Sequence, residues 1–133
     1  MSSSENRAQV VIYWWEKEED CISFARRELD ANEYGYAINR IYYSAFYAVS
    51  ALLLEKGMSF RKHSGVRHTF HLEFIKTGLI DMRWAKFYDQ LFEDRQEGDY
   101  LALTSFDFDY VEKKLNECIE FLEVLRPFLN SIK

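Results

Sequence analysis

The stretch AINRIYYSAFYAVSALLLEKG, residues 37–57, decides the fold because a helix built from it is apolar or aromatic on almost every side. At about 100° per residue, one face of that helix is aliphatic and carries Ile38, Ile41, Ala45, Val49 and Leu52. The opposite face is mostly aromatic and carries Tyr36, Arg40, Tyr43, Tyr47 and Leu54. Such a helix must be covered from more than one side. The other helices of a bundle could do this around it as the central helix, or a second subunit could share the covering, and an aromatic face that holds an arginine favours a homodimer.

Further helices are predicted on both sides of this central helix, and the sequence shows no strand pattern. The five predicted helices run over about residues 6–31, 36–56, 63–76, 81–100 and 107–129. Gly57 and Gly78 are expected to end the second and third helices, and Asp81 is expected to cap the fourth. The prediction is an all-α, up-and-down bundle of four or five helices, in one domain over residues 1–133 with its core at about 7–129.

The first and last helices each carry a stripe of side chains at helical spacing, which predicts the face that meets the core. In the first helix the predicted stripe is Val10, Tyr13, Trp14, Cys21, Phe24, Ala25 and Leu29. In the last helix it is Val111, Leu115, Cys118, Leu122, Leu125 and Leu129. The acidic run Glu16–Asp20 is predicted to be a solvent-facing turn of the first helix.

The charge is unevenly distributed along the chain. The formal net charge of −5 argues against a protein that coats nucleic acid non-specifically. Residues 56–78, however, hold five basic side chains against one acidic, together with all three histidines. This basic segment either meets a phosphate or pairs internally with the acidic ends of the chain.

The sequence gives no sign of export or of a membrane span. It has no run of about 18 apolar residues, and its first residues, MSSSENRAQ, contain no apolar segment of a secretory signal. Cys21 and Cys118 lie far apart within helical patterns, which favours reduced thiols. A cytoplasmic protein is therefore expected.

The histidines suggest only weak sites. His68 and His71 are spaced to share one side of the third helix, but only Glu73 is near, so no metal and no cofactor are predicted. His63, with Lys62 and Ser64, either caps the third helix or meets a phosphate at its N-terminus.

The stretch EDRQEGDY, residues 93–100, allows two readings of its arginine. Arg95 and Asp99 are four apart on one helix face, so a surface ion pair is the simpler account. Gly98 indicates either a close helix approach or the helix end. The alternative is that Arg95 belongs to a functional site.

Three elements in order resemble the small stand-alone HEPN-domain proteins of prokaryotes, over roughly residues 7–129. The first is an Asn-Arg-x-Tyr-Tyr-x-x-Phe pattern in the central helix, matched by Asn39, Arg40, Tyr42, Tyr43 and Phe46. The second is a Lys-Thr-His-x-Gly element, matched with one residue fewer by Lys62, His63 and Gly65. The third is an Arg-x-x-Ala-Asp-Tyr element, matched by Arg95, Asp99 and Tyr100, with Gly98 in place of the alanine.

The resemblance implies a homodimer formed by helices near the second and fourth, and a link to RNA or nucleotides. Many HEPN proteins are metal-independent endoribonucleases, often paired as toxins with a minimal nucleotidyltransferase as antitoxin. Their signature is an arginine followed after four to six residues by a histidine. Here no histidine follows Arg95 in that window and Tyr100 takes the nearest position, whereas Arg61 and His68 fit the spacing in a different element.

Three hypotheses follow. The first is a dimeric module of a toxin–antitoxin or defence system that binds RNA, a nucleotide or a nucleotidyltransferase, without chemistry of its own. The second is a ribonuclease in which Arg95 and Tyr100 are catalytic or a histidine from another helix or subunit takes part. The third is a purely structural dimer. The predicted phosphate or RNA ligands are Arg40, Asn39, Tyr43, Asp99, His63 and Lys62.

Overall fold

The computed structural model describes residues 3–98 and 106–133, and no strand occurs in these residues. It contains five α-helices: α1 (Ser3–Asp30), α2 (Tyr34–Glu55), α3 (His63–Phe70), α4 (Met82–Gly98) and α5 (Phe108–Leu125). A π-helical turn, His71–Ile75, extends α3, and two short 3-10 turns follow α5 at Arg126–Phe128 and Asn130–Ile132. The all-α prediction is confirmed.

Helix α2 lies at the centre, as its sequence predicts, and packs against α1, α3, α4 and α5. All members of the aliphatic face, Ile38, Ile41, Ala45, Val49 and Leu52, are buried. Ala37, Ser44 and Ala51 beside that face are buried as well, so α2 is covered on three sides. The remaining side holds Tyr43 and Tyr47, which are half-buried, and Tyr36, which is 60% exposed.

The buried stripe of α1 differs from the prediction. The observed stripe is Val11, Trp15, Glu18, Cys21, Ala25 and Leu29, whereas Val10, Tyr13 and Phe24 are exposed by 41%, 52% and 41%. The reason is Glu18, which is only 2% exposed and sits in the core-facing stripe. The prediction that the whole run Glu16–Asp20 faces solvent is therefore wrong at Glu18.

The helix ends follow the predicted chemistry. Gly57 and Gly78 adopt φ values of +83° and +80°, the left-handed conformation that glycine adopts without steric strain. Asp81 accepts a hydrogen bond at 2.8 Å from the backbone N–H of Arg83, and Asp107 caps α5 by accepting one from Tyr110.

The π-helical turn is the local feature that the sequence does not predict. The backbone N–H of Lys76 donates to the carbonyl of His71 at 2.8 Å, a bond that reaches back five residues rather than four. The turn lies within the segment predicted as the C-terminal half of one regular third helix. It places His71 at the point where the helical register changes.

A layer of aromatic rings joins α3, α4 and α5. Phe121 of α5 is fully buried, and its ring centre lies 5.5–6.3 Å from those of Phe70, Trp84, Phe87 and Tyr88. The predicted stripe of the last helix, Val111, Leu115, Cys118, Leu122, Leu125 and Leu129, is confirmed as buried. This layer fixes α3 and α4 on the framework formed by α2 and α5.

Both cysteines are buried free thiols. No helix in the described part of the chain is long and apolar enough to span a bilayer.

Candidate functional site

Arg95 lies near the end of α4, where it faces two tyrosines of α2. Its guanidinium carbon is 5.4 Å from the ring centres of both Tyr42 and Tyr43, a cation–π arrangement. One Nη group donates to the Tyr43 hydroxyl at 3.2 Å. The Nε–H is buried without a hydrogen-bond acceptor, and Arg95 forms no ion pair among the side chains that the structure describes. A buried donor without an acceptor is unfavourable unless a ligand supplies the acceptor.

His63 belongs to the same aromatic group. Its Nδ1 is 2.8 Å from the Tyr42 hydroxyl, and its ring stacks on Phe46 with the centres 4.1 Å apart. The capping role predicted as one option for His63 is not observed. Helix α3 has Lys62 at its N-cap and no side-chain capping bond. The side chain of His63 instead turns toward α2.

The charge states of this group follow from its surroundings. Burial lowers the pKa of His63, and the nearby Arg95 cation lowers it further, so the imidazole is neutral at pH 7. Burial raises the pKa of Tyr42 to about 12, against the opposing effect of Arg95, so the phenol keeps its proton. When the Tyr42 hydroxyl donates to Nδ1, the imidazole proton lies on Nε2, and this is the tautomer assigned below.

Together, Arg95, His63, Tyr42, Tyr43 and Phe46 form what we call the arginine–histidine site. It joins α2, the start of α3 and the end of α4. The sequence placed Arg95 and His63 in different elements and left open whether a histidine from another helix or from another subunit takes part. The structure brings them together within one chain.

Asp94 positions the end of α4, and no pattern in the sequence marks it as a buried residue. Its side chain is 3% exposed, and it accepts hydrogen bonds from the Tyr110 hydroxyl at 2.5 Å and from the Gln90 amide at 2.9 Å. These bonds tie the turn that carries Arg95 to α5. An acidic residue one position from Arg95, within the charged stretch EDRQE, gives no signal of burial in the sequence.

We expect Asp94→Ala to lower the free energy of unfolding by about 2–3 kcal/mol, because the Tyr110 hydroxyl and the Gln90 amide lose a charged acceptor. Urea unfolding followed by circular dichroism measures this. Glu93→Ala, at the exposed neighbouring position, serves as the control and should change stability by less than about 0.5 kcal/mol. Equal effects of the two substitutions would show that Asp94 does not anchor the helix.

The other predicted ligands lie in different settings. Arg40 forms an ion pair with Glu28 at 3.1 Å, and its guanidinium carbon is 5.0 Å from the ring centre of Phe24. Asn39 is half-buried beside it on α2, and Lys62 is exposed at the start of α3. Asp99 and Tyr100 lie outside the described residues, as does the predicted Arg95–Asp99 pair.

His68 and His71 lie on the α3 side of a separate cavity. His71 Nε2 is 3.2 Å from Asp89 of α4, while His68 is exposed. No group of three or more His, Cys, Asp or Glu side chains suited to a metal ion occurs in residues 3–98 and 106–133.

The HEPN-domain family matches residues 11–128. The chain therefore belongs to the HEPN-domain family, which confirms the resemblance carried by its three sequence elements.

Its relatives include proteins of similar length. A UPF0332 protein of Thermotoga maritima is 39% identical over 127 residues, which cover 96% of each chain. A protein of Methanocaldococcus jannaschii named "Putative toxin MJ0142" is 37% identical over 120 residues, which cover 85% of this chain and 82% of that protein. A second protein of that organism, named "Putative toxin MJ0605", is 32% identical over 114 residues, or 86% of this chain and 84% of its own length.

Proposed function

We propose that this chain is an RNA-binding HEPN module, in which the arginine–histidine site holds a backbone phosphate. The observation that carries the proposal is the state of Arg95, whose buried Nε–H has no acceptor and whose charge has no carboxylate partner among the described side chains. A phosphate oxygen supplies both an acceptor and a negative charge, and guanidinium–phosphate bonds are among the stronger hydrogen bonds in proteins.

The surrounding side chains suit the rest of a nucleotide. His63 carries its proton on Nε2 in the assigned tautomer, so it donates a hydrogen bond to a phosphate oxygen without needing to gain a charge. The half-buried rings of Tyr43 and Phe46 offer flat apolar surfaces beside it. Stacking of bases on such rings is tolerant of sequence and contributes about 1–3 kcal/mol per base.

Arg95→Ala is expected to weaken binding of single-stranded RNA by roughly 10- to 150-fold, which corresponds to the loss of about 1.5–3 kcal/mol for a charged hydrogen bond. Fluorescence anisotropy with labelled RNA, repeated at several salt concentrations, measures both the affinity and the number of phosphate contacts.

The matched control for that titration is Arg83→Ala. Arg83 lies on the same helix, but it is exposed and pairs with Glu120 at 3.3 Å. This control should leave RNA affinity nearly unchanged. Equal affinity of the Arg95→Ala and Arg83→Ala proteins, both shown to be folded, would overturn the proposal.

A second candidate function is a metal-independent endoribonuclease, and one observation favours it. A histidine lies beside Arg95 within the same chain, although the family's usual histidine after the arginine is missing. In such a reaction the ribose 2′-oxygen bonds to phosphorus, the bond from phosphorus to the 5′-oxygen breaks, and a 2′,3′-cyclic phosphate forms. Arg95 would stabilise the charge on the phosphate, and a water molecule would accept the proton of the 2′-hydroxyl. His63, once it carries a proton on both ring nitrogens, would give its Nε2 proton to the departing 5′-oxygen and return to the neutral imidazole. The relatives named as toxins agree with this candidate but do not distinguish it from binding alone.

The two candidate functions predict different results when RNA incubated with the protein is separated on a denaturing gel. Incubation of total RNA with the protein in a metal chelator should leave the RNA intact if the module only binds. Cleavage that disappears in both His63→Ala and Arg95→Ala, and persists in Arg83→Ala, would establish the nuclease. Cleavage that survives in His63→Ala would rule out His63 as the proton donor.

We also propose that the chain forms a homodimer and binds a minimal nucleotidyltransferase, in a toxin–antitoxin or defence setting. The dimer is supported by exposed apolar side chains on α1 and α2, where Tyr13, Phe24 and Tyr36 are exposed by 52%, 41% and 60%. The nucleotidyltransferase partner rests on the family resemblance.

Light scattering should give about twice the 16.0 kDa chain mass, and Tyr36→Glu should shift the measured mass toward that of the monomer, while Leu79→Glu on the α3–α4 connection should not. A monomer in the unsubstituted protein would overturn the dimer.

A further inference from the structure

A polar cavity lies on the face formed by α3 and α4, outside the arginine–histidine site. It has a volume of about 480 Å³ and is lined by Ser64, Arg67, His68, His71 and Asp89. Four of these residues belong to the basic segment 56–78, whose role the sequence left open. Of the segment's five basic side chains, Arg67 lines this cavity, where two of the segment's histidines lie beside it.

The cavity has a built arrangement of side chains. His71 Nε2 is 3.2 Å from Asp89 Oδ1, and an Arg67 Nη lies 3.8 Å from the same oxygen. Asp89 is thus shared between a guanidinium and an imidazole, so it cannot saturate the donors of Arg67. His71 is also the first residue of the π-helical turn, a feature that often occurs at functional sites.

This cavity adjoins the arginine–histidine site through two aromatic rings. The Arg67 guanidinium lies 4.3 Å from the ring centre of Phe92. The rings of Phe92 and Tyr42 pack edge to face, with their centres 6.0 Å apart. Tyr42 in turn lies beneath Arg95. Although burial raises the pKa of Tyr42, Arg95 and Arg67 both act against that rise, as two cations near one phenol should.

We propose that Arg67, His68 and Ser64 form a second phosphate subsite, which holds the backbone of the RNA strand whose neighbouring phosphate lies at Arg95. Arg67 supplies the charge, Ser64 and His68 supply hydrogen bonds, and the His71–Asp89 pair positions Arg67. This inference rests on the proposed function and adds the path of the strand, which runs from the end of α4 across Phe92 to α3. Two cationic subsites separated by an aromatic surface are typical of single-strand binding grooves.

The test compares two probes, an RNA of about six nucleotides and adenosine 5′-monophosphate, on the same set of proteins. Arg67→Ala should weaken binding of the longer RNA by about tenfold or more and leave the mononucleotide, which fills only the Arg95 subsite, nearly unchanged. Arg95→Ala should weaken both. His68→Ala is a second variant at an exposed position, so it reports on the subsite even if Arg67→Ala fails to fold.

The matched control is Lys56→Ala, which removes a positive charge of the basic segment that is already paired with Glu73 at 3.6 Å. Equal affinity of Arg67→Ala, His68→Ala and Lys56→Ala for the longer RNA would overturn the second subsite while leaving the Arg95 subsite standing. Loss of mononucleotide binding in Arg67→Ala but not in Arg95→Ala would instead mean that the cavity takes a free nucleotide, which also overturns the strand path. No effect in either arginine variant would overturn both proposals.

Discussion

Glu18→Gln is expected to raise the free energy of unfolding by about 2–4 kcal/mol at pH 9 and to change it little at pH 4.5. Burial, together with the neighbouring Glu19, raises the pKa of Glu18 to about 8, and Arg126 and the Ser44 hydroxyl oppose the rise only in part. In the unfolded chain this carboxyl ionises near its ordinary pKa of about 4.3.

The direction of the pH dependence follows from the protons bound. Between about pH 4.5 and pH 8 the native state keeps the proton on Glu18, while the unfolded state has lost it. Stability therefore falls as pH rises through this window, and the full cost of the buried charge is present above pH 8. Glutamine fills the same space without a charge, so the free energy of unfolding of the variant should fall less steeply between pH 4.5 and pH 8.

Urea unfolding at several pH values measures this difference. Glu19→Gln is the matched control, because Glu19 is the exposed neighbour on the same helix. It should reduce the slope only slightly, since its charge acts on Glu18 from a distance. If Glu18→Gln and the unsubstituted protein showed parallel stability profiles from pH 4.5 to 9, Glu18 would have to ionise at the same pH in the native and unfolded states.

Glu18 also explains which part of the fold the sequence could not predict. A core-facing stripe is recognised by apolar side chains at helical spacing, and one carboxylate in the stripe moves the apparent apolar face of α1 toward Tyr13 and Phe24. Helix α5 has no such interruption, and every residue of its predicted stripe is buried, although the fully buried Phe121 was not among them. Helix α2 was predicted correctly as the central helix because its composition leaves few polar positions.

The candidate site was partly predictable for a similar reason. Arg95, His63 and Tyr43 were identified from their sequence elements, but their meeting depends on how α3 and α4 pack against α2. Tyr42 was recognised as part of a motif, yet its bond to His63 depends on that packing too. Asp94 gave no signal, because burial of a carboxylate is decided by its partners on another helix.

Phe121→Ala is expected to lower the free energy of unfolding by about 3–5 kcal/mol, a loss large enough to leave the chain only marginally folded. Phe121 is fully buried, and its ring meets rings on both α3 and α4. Removing it leaves a cavity between these two helices and α5. The midpoint of urea unfolding should fall, with the slope of the transition unchanged.

Phe121→Ala also distinguishes an effect on the stability of the fold from an effect on RNA binding at the arginine–histidine site. Phe121 contributes no atom to the arginine–histidine site, so the fraction of Phe121→Ala protein that stays folded at low temperature should bind RNA with nearly unchanged affinity. Leu79→Ala, at a position 54% exposed, is the stability control and should alter the midpoint little. A folded Phe121→Ala protein that has lost RNA binding would mean that the aromatic layer sets the geometry of Arg95 and His63, rather than only holding α3 and α4 in place.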